Sequence, residues 1–261
     1  MSNDKGPFVS WTDERRLAEA KQRTDRLVAE CTNLIWTHQN IRKLVMSPAV
    51  ASQIPSSYAA HAFTSLQHDL VGLAIVRLCA MWDSPARGRA SIPGVLELME
   101  SAGARELWIG EWIAYWNSGS IHTIGPEAWP GAHATSERRV QQWNVREFVP
   151  KTAYAFLSAA TRAEALITSD QLRAAKRRRD RHLAHNLTLE AAPDERGVRY
   201  GDLSALLLPT VFVVRRLQLA LNGSDMDFRA SFRQARTSVA ELWDNTTVHI
   251  SSRRRKGGSL A

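Results

Sequence analysis

The sequence predicts an all-α protein, and three observations carry the prediction. Apolar residues recur at helical spacing through several long segments. Residues that cap helices stand at the head of those segments, and proline or glycine closes them. No internal period of about 20 to 50 residues recurs, which excludes a solenoid.

The first long helix is predicted over about residues 12–38. Thr12 suits its cap, Asp13 and Glu14 suit the positive N-terminal end, and Leu17, Ala20, Leu27, Val28, Cys31, Leu34 and Ile35 keep helical spacing. Pro48 and Pro55 then interrupt the pattern. A second long helix is predicted over residues 57–82, carrying Phe63, Leu66, Leu70, Leu73, Ala74, Val76, Leu78 and Met81. Its apolar stripe broadens toward the C-terminal half, as in a helix buried between neighbours, and Asp83-Ser84-Pro85 ends it. His68 and Asp69 fall mid-helix, where polar residues mark an exposed flank.

Composition shifts after Pro85. Ser91 suits the cap of a short helix with Pro93 in its first turn, and a further helix is expected over 104–116. There Trp108, Trp112 and Trp116 recur every fourth residue on one face, a spacing that suits a core or a partner interface better than base stacking. That face is expected to offer apolar surface to a second copy of the chain. Residues 119–134, with Gly125, Pro126, Pro130 and Gly131, read as a loop, and 86–148 as an insertion between bundle helices.

Pro150 is expected to open a helix to about Thr168, burying Ala153, Phe156, Leu157, Ala160, Ala163 and Ile167. Ser169 caps the next helix, with Asp170 in its first turn. Residues 188–200 read as a loop or small hairpin. Asp202 suits the cap of a helix kinked or broken near Pro209, Asn222-Gly223 stops it, and a last helix spans about 225–243. The expectation is one helical domain over 1–245 and a basic, disordered tail over 246–261.

The formal charge of +8 is concentrated. Arg173, Lys176, Arg177, Arg178, Arg179 and Arg181 against Asp180 contribute +5, and residues 253–256 another +4, so the remainder is nearly neutral. A basic run of this kind favours a polyanion such as nucleic acid. Two histidines, His182 and His185, lie within it, and imidazole moves protons near neutral pH. The plainer alternative is a solvated helix face.

Other classes recede. Only Cys31 and Cys79 are present, which gives no disulfide framework and no cysteine metal site. There is no P-loop, Gly-rich dinucleotide turn, His-Glu-x-x-His pair or Gly-x-Ser-x-Gly elbow, so no cofactor and no metal are expected. The N-terminus has no apolar run of signal-peptide length, and the stretch 203–214 is broken by Ser204, Pro209 and Thr210. No membrane partner is expected, and a reducing cytoplasm is the expected location.

The order Arg179-Asp180-Arg181-His182-Leu183-Ala184-His185 resembles the signature of HEPN domains, an arginine, often followed by a polar residue, and then a histidine after four to six positions. The Ala-His ending, with a basic residue just after the Arg-Asp pair, looks most like the abortive-infection U-type branch. The ending 77–83, with Arg77-Leu78 and Asp83, also resembles the second helix of that branch. The fold implied is an elaborated HEPN-like helical bundle with an inserted Trp-rich helical segment.

The resemblance implies a homodimeric, metal-independent endoribonuclease of the toxin or phage-defence kind, with Arg179 and His185 catalytic and Asp180 orienting a partner side chain. Arg178, Arg181 and His182 would support them, and Arg173, Lys176 and Arg177 would bind RNA. An α-helix advances about 100° per residue, which aligns Arg178, Arg181 and His185 and turns Arg179 roughly 120° away. Helix geometry therefore favours Arg178 or Arg181 as the intrachain partner of His185, whereas the family pattern favours Arg179. Arg178 with His185 and Arg177 with His182 also satisfy the pattern at its longest and shortest spacings. A site shared across a two-fold axis eases the conflict. The alternative function is a non-catalytic RNA- or protein-binding module, a basic helical surface that holds RNA, or an effector or toxin partner, without cleaving, and a scaffold with no nucleic-acid role is a third.

Overall fold

The Thr12 hydroxyl accepts the Arg15 backbone N–H at 3.4 Å, and from that cap α1 runs as Asp13–Leu44. The computed structural model describes residues 6–54, 56, 58–117, 134–183 and 200–249, with the side chains of Ala49, Trp116, residues 134–149, His182, Leu183 and Tyr200 outside the description. After α1 come a single turn, α2 (Pro48–Ala51), the long α3 (Tyr58–Met81), the short α4 (Ile92–Leu98) and α5 (Ala102–Asn117). Then follow α6 (Ala134–Ile167), α7 (Asp170–Arg178), a π-helical turn (Arg179–Leu183), α8 (Tyr200–Asn222) and α9 (Phe228–Asp244). Among the described residues every regular element is helical, as the spacing predicts.

α1 is the axis of the bundle, because its apolar face packs against α3, α4, α5, α8 and α9. α8 lies between α1 and α6. One core joins Leu27, Cys31, Leu34 and Ile35 of α1, Ile75, Leu78 and Cys79 of α3, and Leu206, Val213, Val214 and Leu217 of α8. By length and composition Gly201–Asn222 could cross a bilayer, yet its apolar residues form the packed layer between α1 and α6. From the segment read as an insertion, Ile92, Val95 and Leu98 of α4 and Trp108 of α5 enter the same core.

Leu157 and Ile167 of α6, expected in its buried stripe, are exposed, and Ala155, Ala159 and Leu166 are buried with Ala163 instead; three further expectations change. Pro150 does not open a helix; it lies exposed inside α6, which begins at Ala134. A proline suits the first turn of a helix and is also tolerated, at a cost of about 3 kcal/mol, inside one that packing holds together. Pro209 does not break α8 either. Beside it the buried Thr210 hydroxyl donates to the Leu206 carbonyl at 2.7 Å and accepts the Trp82 indole N–H at 3.0 Å, pinning the turn that the missing proline donor weakens.

The third change concerns the tryptophans. Trp108 is buried, and the Trp108 and Trp112 indoles both donate to the Ala220 carbonyl in the last turn of α8, at 2.9 and 3.1 Å. These two rings serve the chain's own packing and are not spare surface for a second copy; Trp116 lies outside the description. Gly223 ends α8 at φ 71°, and a Cβ there would lie 2.3 Å from the Trp112 ring, so both backbone and packing require glycine. Of the loop expected at 119–134 and the loop or hairpin expected at 188–200, only Ala134 and Tyr200 are described, each as the first residue of a helix, and most of the tail lies outside the described residues.

Candidate functional site

The basic run begins from a firm cap. Ser169 Oγ accepts the Leu172 N–H at 3.3 Å, and Asp170 stands in the first turn of α7. Leu172 and Ala175, three residues apart, are buried and set the rotation of the helix. Arg173 and Arg177 therefore face solvent, and Arg173 pairs with exposed Asp170 at 2.5 Å, an ion pair that contributes little to stability.

Lys176 and Arg179 are one turn apart and both reach the C-terminal end of α3. The Lys176 ammonium donates to the Trp82 carbonyl at 2.6 Å, a cation against the negative end of a helix. Arg179 Nη1 meets Asp83 Oδ1 at 2.6 Å, and its Nε meets Asp180 Oδ1 at 2.8 Å. Burial opposes the charge of Arg179, yet the hydrogen bonds to Asp83 and Asp180 hold its guanidinium above the usual arginine range. Beneath the pair, burial pushes the Cys79 thiol up to about 11 against the pull of Arg179, so Cys79 is an unreactive core residue.

The helical ladder changes at Arg179. From Arg179 to Leu183 the turn is π-helical, widening from i−4 to i−5 bonding, a distortion frequent at functional sites. The α-helical projection that aligned Arg178, Arg181 and His185 therefore does not extend past Arg178. Arg178 is half-buried, while Asp180 and Arg181 are exposed. His182 lies in the π turn by its backbone, and its side chain is outside the described residues, as is all of His185. Among the described residues no cluster of three or more His, Cys, Asp or Glu side chains could hold a metal ion. His68 and Asp69 of α3 are exposed, as expected for an outer flank.

A family model for HEPN domains of the AbiU2 type matches residues 17–244. The chain belongs to the AbiU2 family of HEPN domains. Comparison with curated proteins and with solved structures found no significant match. The HEPN match runs from the first helix to the end of α9 and takes in α4, α5 and the whole basic motif. Family membership brings an abortive-infection context to the chain, and the helical bundle agrees with a HEPN-like fold.

Within this HEPN domain, the residue that sequence reasoning passed over is Asp83. It was read as the stop signal of α3 and as part of a family-like ending, whereas its carboxylate is also the counter-ion of Arg179, 96 positions along the chain. The available signal was the arginine itself, since a half-buried guanidinium requires an acidic partner.

Proposed function

We propose that this HEPN protein is a metal-independent endoribonuclease acting as a toxin or phage-defence effector. The observation that carries the reading is the placement of the motif's first residue: Arg179 is held charged and half-buried by Asp83, beside the solvent-facing cations Arg173 and Arg177. A fixed guanidinium flanked by solvent-facing cations suits a phosphodiester, because charge that develops on the phosphorus oxygens meets a donor already oriented. His185 supplies the proton transfer. One imidazole removes the 2′-hydroxyl proton, O2′ attacks phosphorus, and the imidazolium so formed gives that proton to the departing O5′, yielding a 2′,3′-cyclic phosphate and a 5′-hydroxyl. The substrate's own hydroxyl is the nucleophile, which restricts the reaction to RNA and requires neither metal nor cofactor.

The site is shared in a homodimer, Arg179 of one chain meeting His185 of the other, and a neutralising antitoxin protein is a further partner. Purified protein incubated with total RNA in EDTA tests the reading. The wild type produces 2′,3′-cyclic ends, whereas Arg179→Ala and His185→Ala fall by about 10²- to 10⁴-fold. Equal degradation by all three proteins would expose a contaminant, and no cleavage by the purified wild type would sink the proposal.

One observation favours a second reading, a non-catalytic RNA-binding module. Two carboxylates already occupy Nη1 and Nε of Arg179, so affinity would rest on Arg173 and Arg177. In that case His185→Ala leaves RNA affinity and every cellular phenotype unchanged, since a neutral imidazole adds little to phosphate binding.

A further inference from the structure

The two carboxylates on Arg179 are not equivalent. Asp83 comes from the far end of α3, is only 21% exposed, and approaches Nη1; Asp180 is the next residue along the chain, is 56% exposed, and approaches Nε. Asp83 is also held from a second direction. The neighbouring Trp82 carbonyl accepts Lys176, and the buried Trp82 indole donates to Thr210 of α8. Residues 176 and 179 thus clamp residues 82 and 83 at two points, whereas Asp180 has only its own exposed side chain to keep it in place.

We propose that Asp83 is a positioning residue that fixes the Arg179 guanidinium by Nη1, and that Asp180 is the exchangeable occupant of the opposite edge. Guanidinium binds oxyanions best through two parallel N–H donors. With Nη1 committed to Asp83, the bidentate edge available to a phosphate is the one formed by Nε and Nη2. Asp180 covers half of that edge at Nε and gives it up to an incoming phosphate by rotating into solvent. Asp83 stays, because releasing it would leave a half-buried carboxylate and the end of α3 without their counter-charge. The inference rests on the nuclease reading only for its catalytic consequence; the division of labour between the two aspartates is a property of the folded chain.

Two measurements on the full-length protein test it. In the first, the Arg179 Nε–H signal, identified by its loss in Arg179→Lys, is followed by side-chain ¹⁵N NMR. It remains ordered in Asp180→Ala and becomes mobile in Asp83→Ala; Asp83→Asn, which keeps an acceptor oxygen, lies between them and guards against simple unfolding of the alanine variant. In the second, RNA cleavage by Asp83→Asn falls in kcat by about 10- to 100-fold with little change in KM, the scale at which a group that orients a catalytic residue acts. Asp180→Ala binds a non-cleavable 2′-O-methyl oligonucleotide more tightly than the wild type, because the phosphate no longer has to displace a carboxylate from Nε.

Order at Arg179 that is lost in Asp180→Ala and kept in Asp83→Ala reverses the assignment and overturns it, as does wild-type kcat in both Asp83 variants. Should the wild type cleave no RNA, the nuclease reading fails, and the NMR comparison alone decides whether Asp83 fixes Arg179.

Discussion

His38 of α1 shows how a buried imidazole differs from a catalytic one. Its Nε2 lies 2.9 Å from Ser204 Oγ of α8, and its Nδ1 lies 3.4 Å from the Gln39 amide nitrogen, so the neutral ring donates on one side and accepts on the other. Burial, with Arg42 nearby, lowers its pKa to about 4, too low for a proton shuttle near neutral pH. The consequence for stability has a definite sign. Above pH 6.5 neither folded nor unfolded His38 carries a proton; between 6.5 and about 4 only the unfolded chain binds one, so stability falls as the pH falls through that window. Urea denaturation at pH 7 and pH 4.5 should differ by up to about 3 kcal/mol more in the wild type than in His38→Gln, which keeps an amide donor and acceptor. Identical pH slopes for the two proteins would contradict a neutral buried His38.

At the level of the element, α7 carries the first part of the basic run, and at nine residues it is too short to hold as a helix unaided. Three features keep it: the Ser169 cap, the buried pair Leu172 and Ala175, and the anchoring of Lys176 and Arg179 to the end of α3. Ser169→Ala should cost about 1 kcal/mol, and Ser169→Gly only a few tenths. Hydrogen exchange distinguishes this loss from a general one. The Leu172 amide should exchange faster in Ser169→Ala while amides in the middle of α1 change only by the global amount; protection unchanged at Leu172 would remove the cap from the account. The cap, Asp170 and the buried stripe were all readable in the sequence, because each is a local pattern. The π turn was not, since no residue type marks it.

For the molecule as a whole, the proposal of a site shared between two chains predicts complementation. On that proposal Arg179→Ala and His185→Ala should each be inactive as homodimers, whereas a mixed dimer would hold one site with both defects and one with neither. Co-refolding equal amounts should therefore restore about a quarter of wild-type cleavage, half of the dimers being mixed and half of their sites intact. No recovery in a preparation shown by sedimentation to contain mixed dimers would place Arg179 and His185 in the same chain. Trp108 and Trp112 of α5 do not stand free as the dimer surface first expected of them, because both indoles donate to Ala220 within the chain.

The sequence by itself determined that the chain is helical, where α1, α3, α4, α7 and α8 begin or end, and where the basic run stands that contains Arg179-Asp180 and His185. Spacing, caps and motif order are local, and they survive whatever the rest of the chain does. Tertiary structure alone decided that Asp83 holds Arg179, that Lys176 closes α3 on the Trp82 carbonyl, and that Pro150 and Pro209 lie inside continuous helices. Each of these depends on contacts between distant residues or on whether packing offsets a lost backbone donor. A proline that opens a helix and one that a helix runs through look the same within a few residues of sequence, and a carboxylate 96 positions away becomes a partner only when α3 and the motif turn meet.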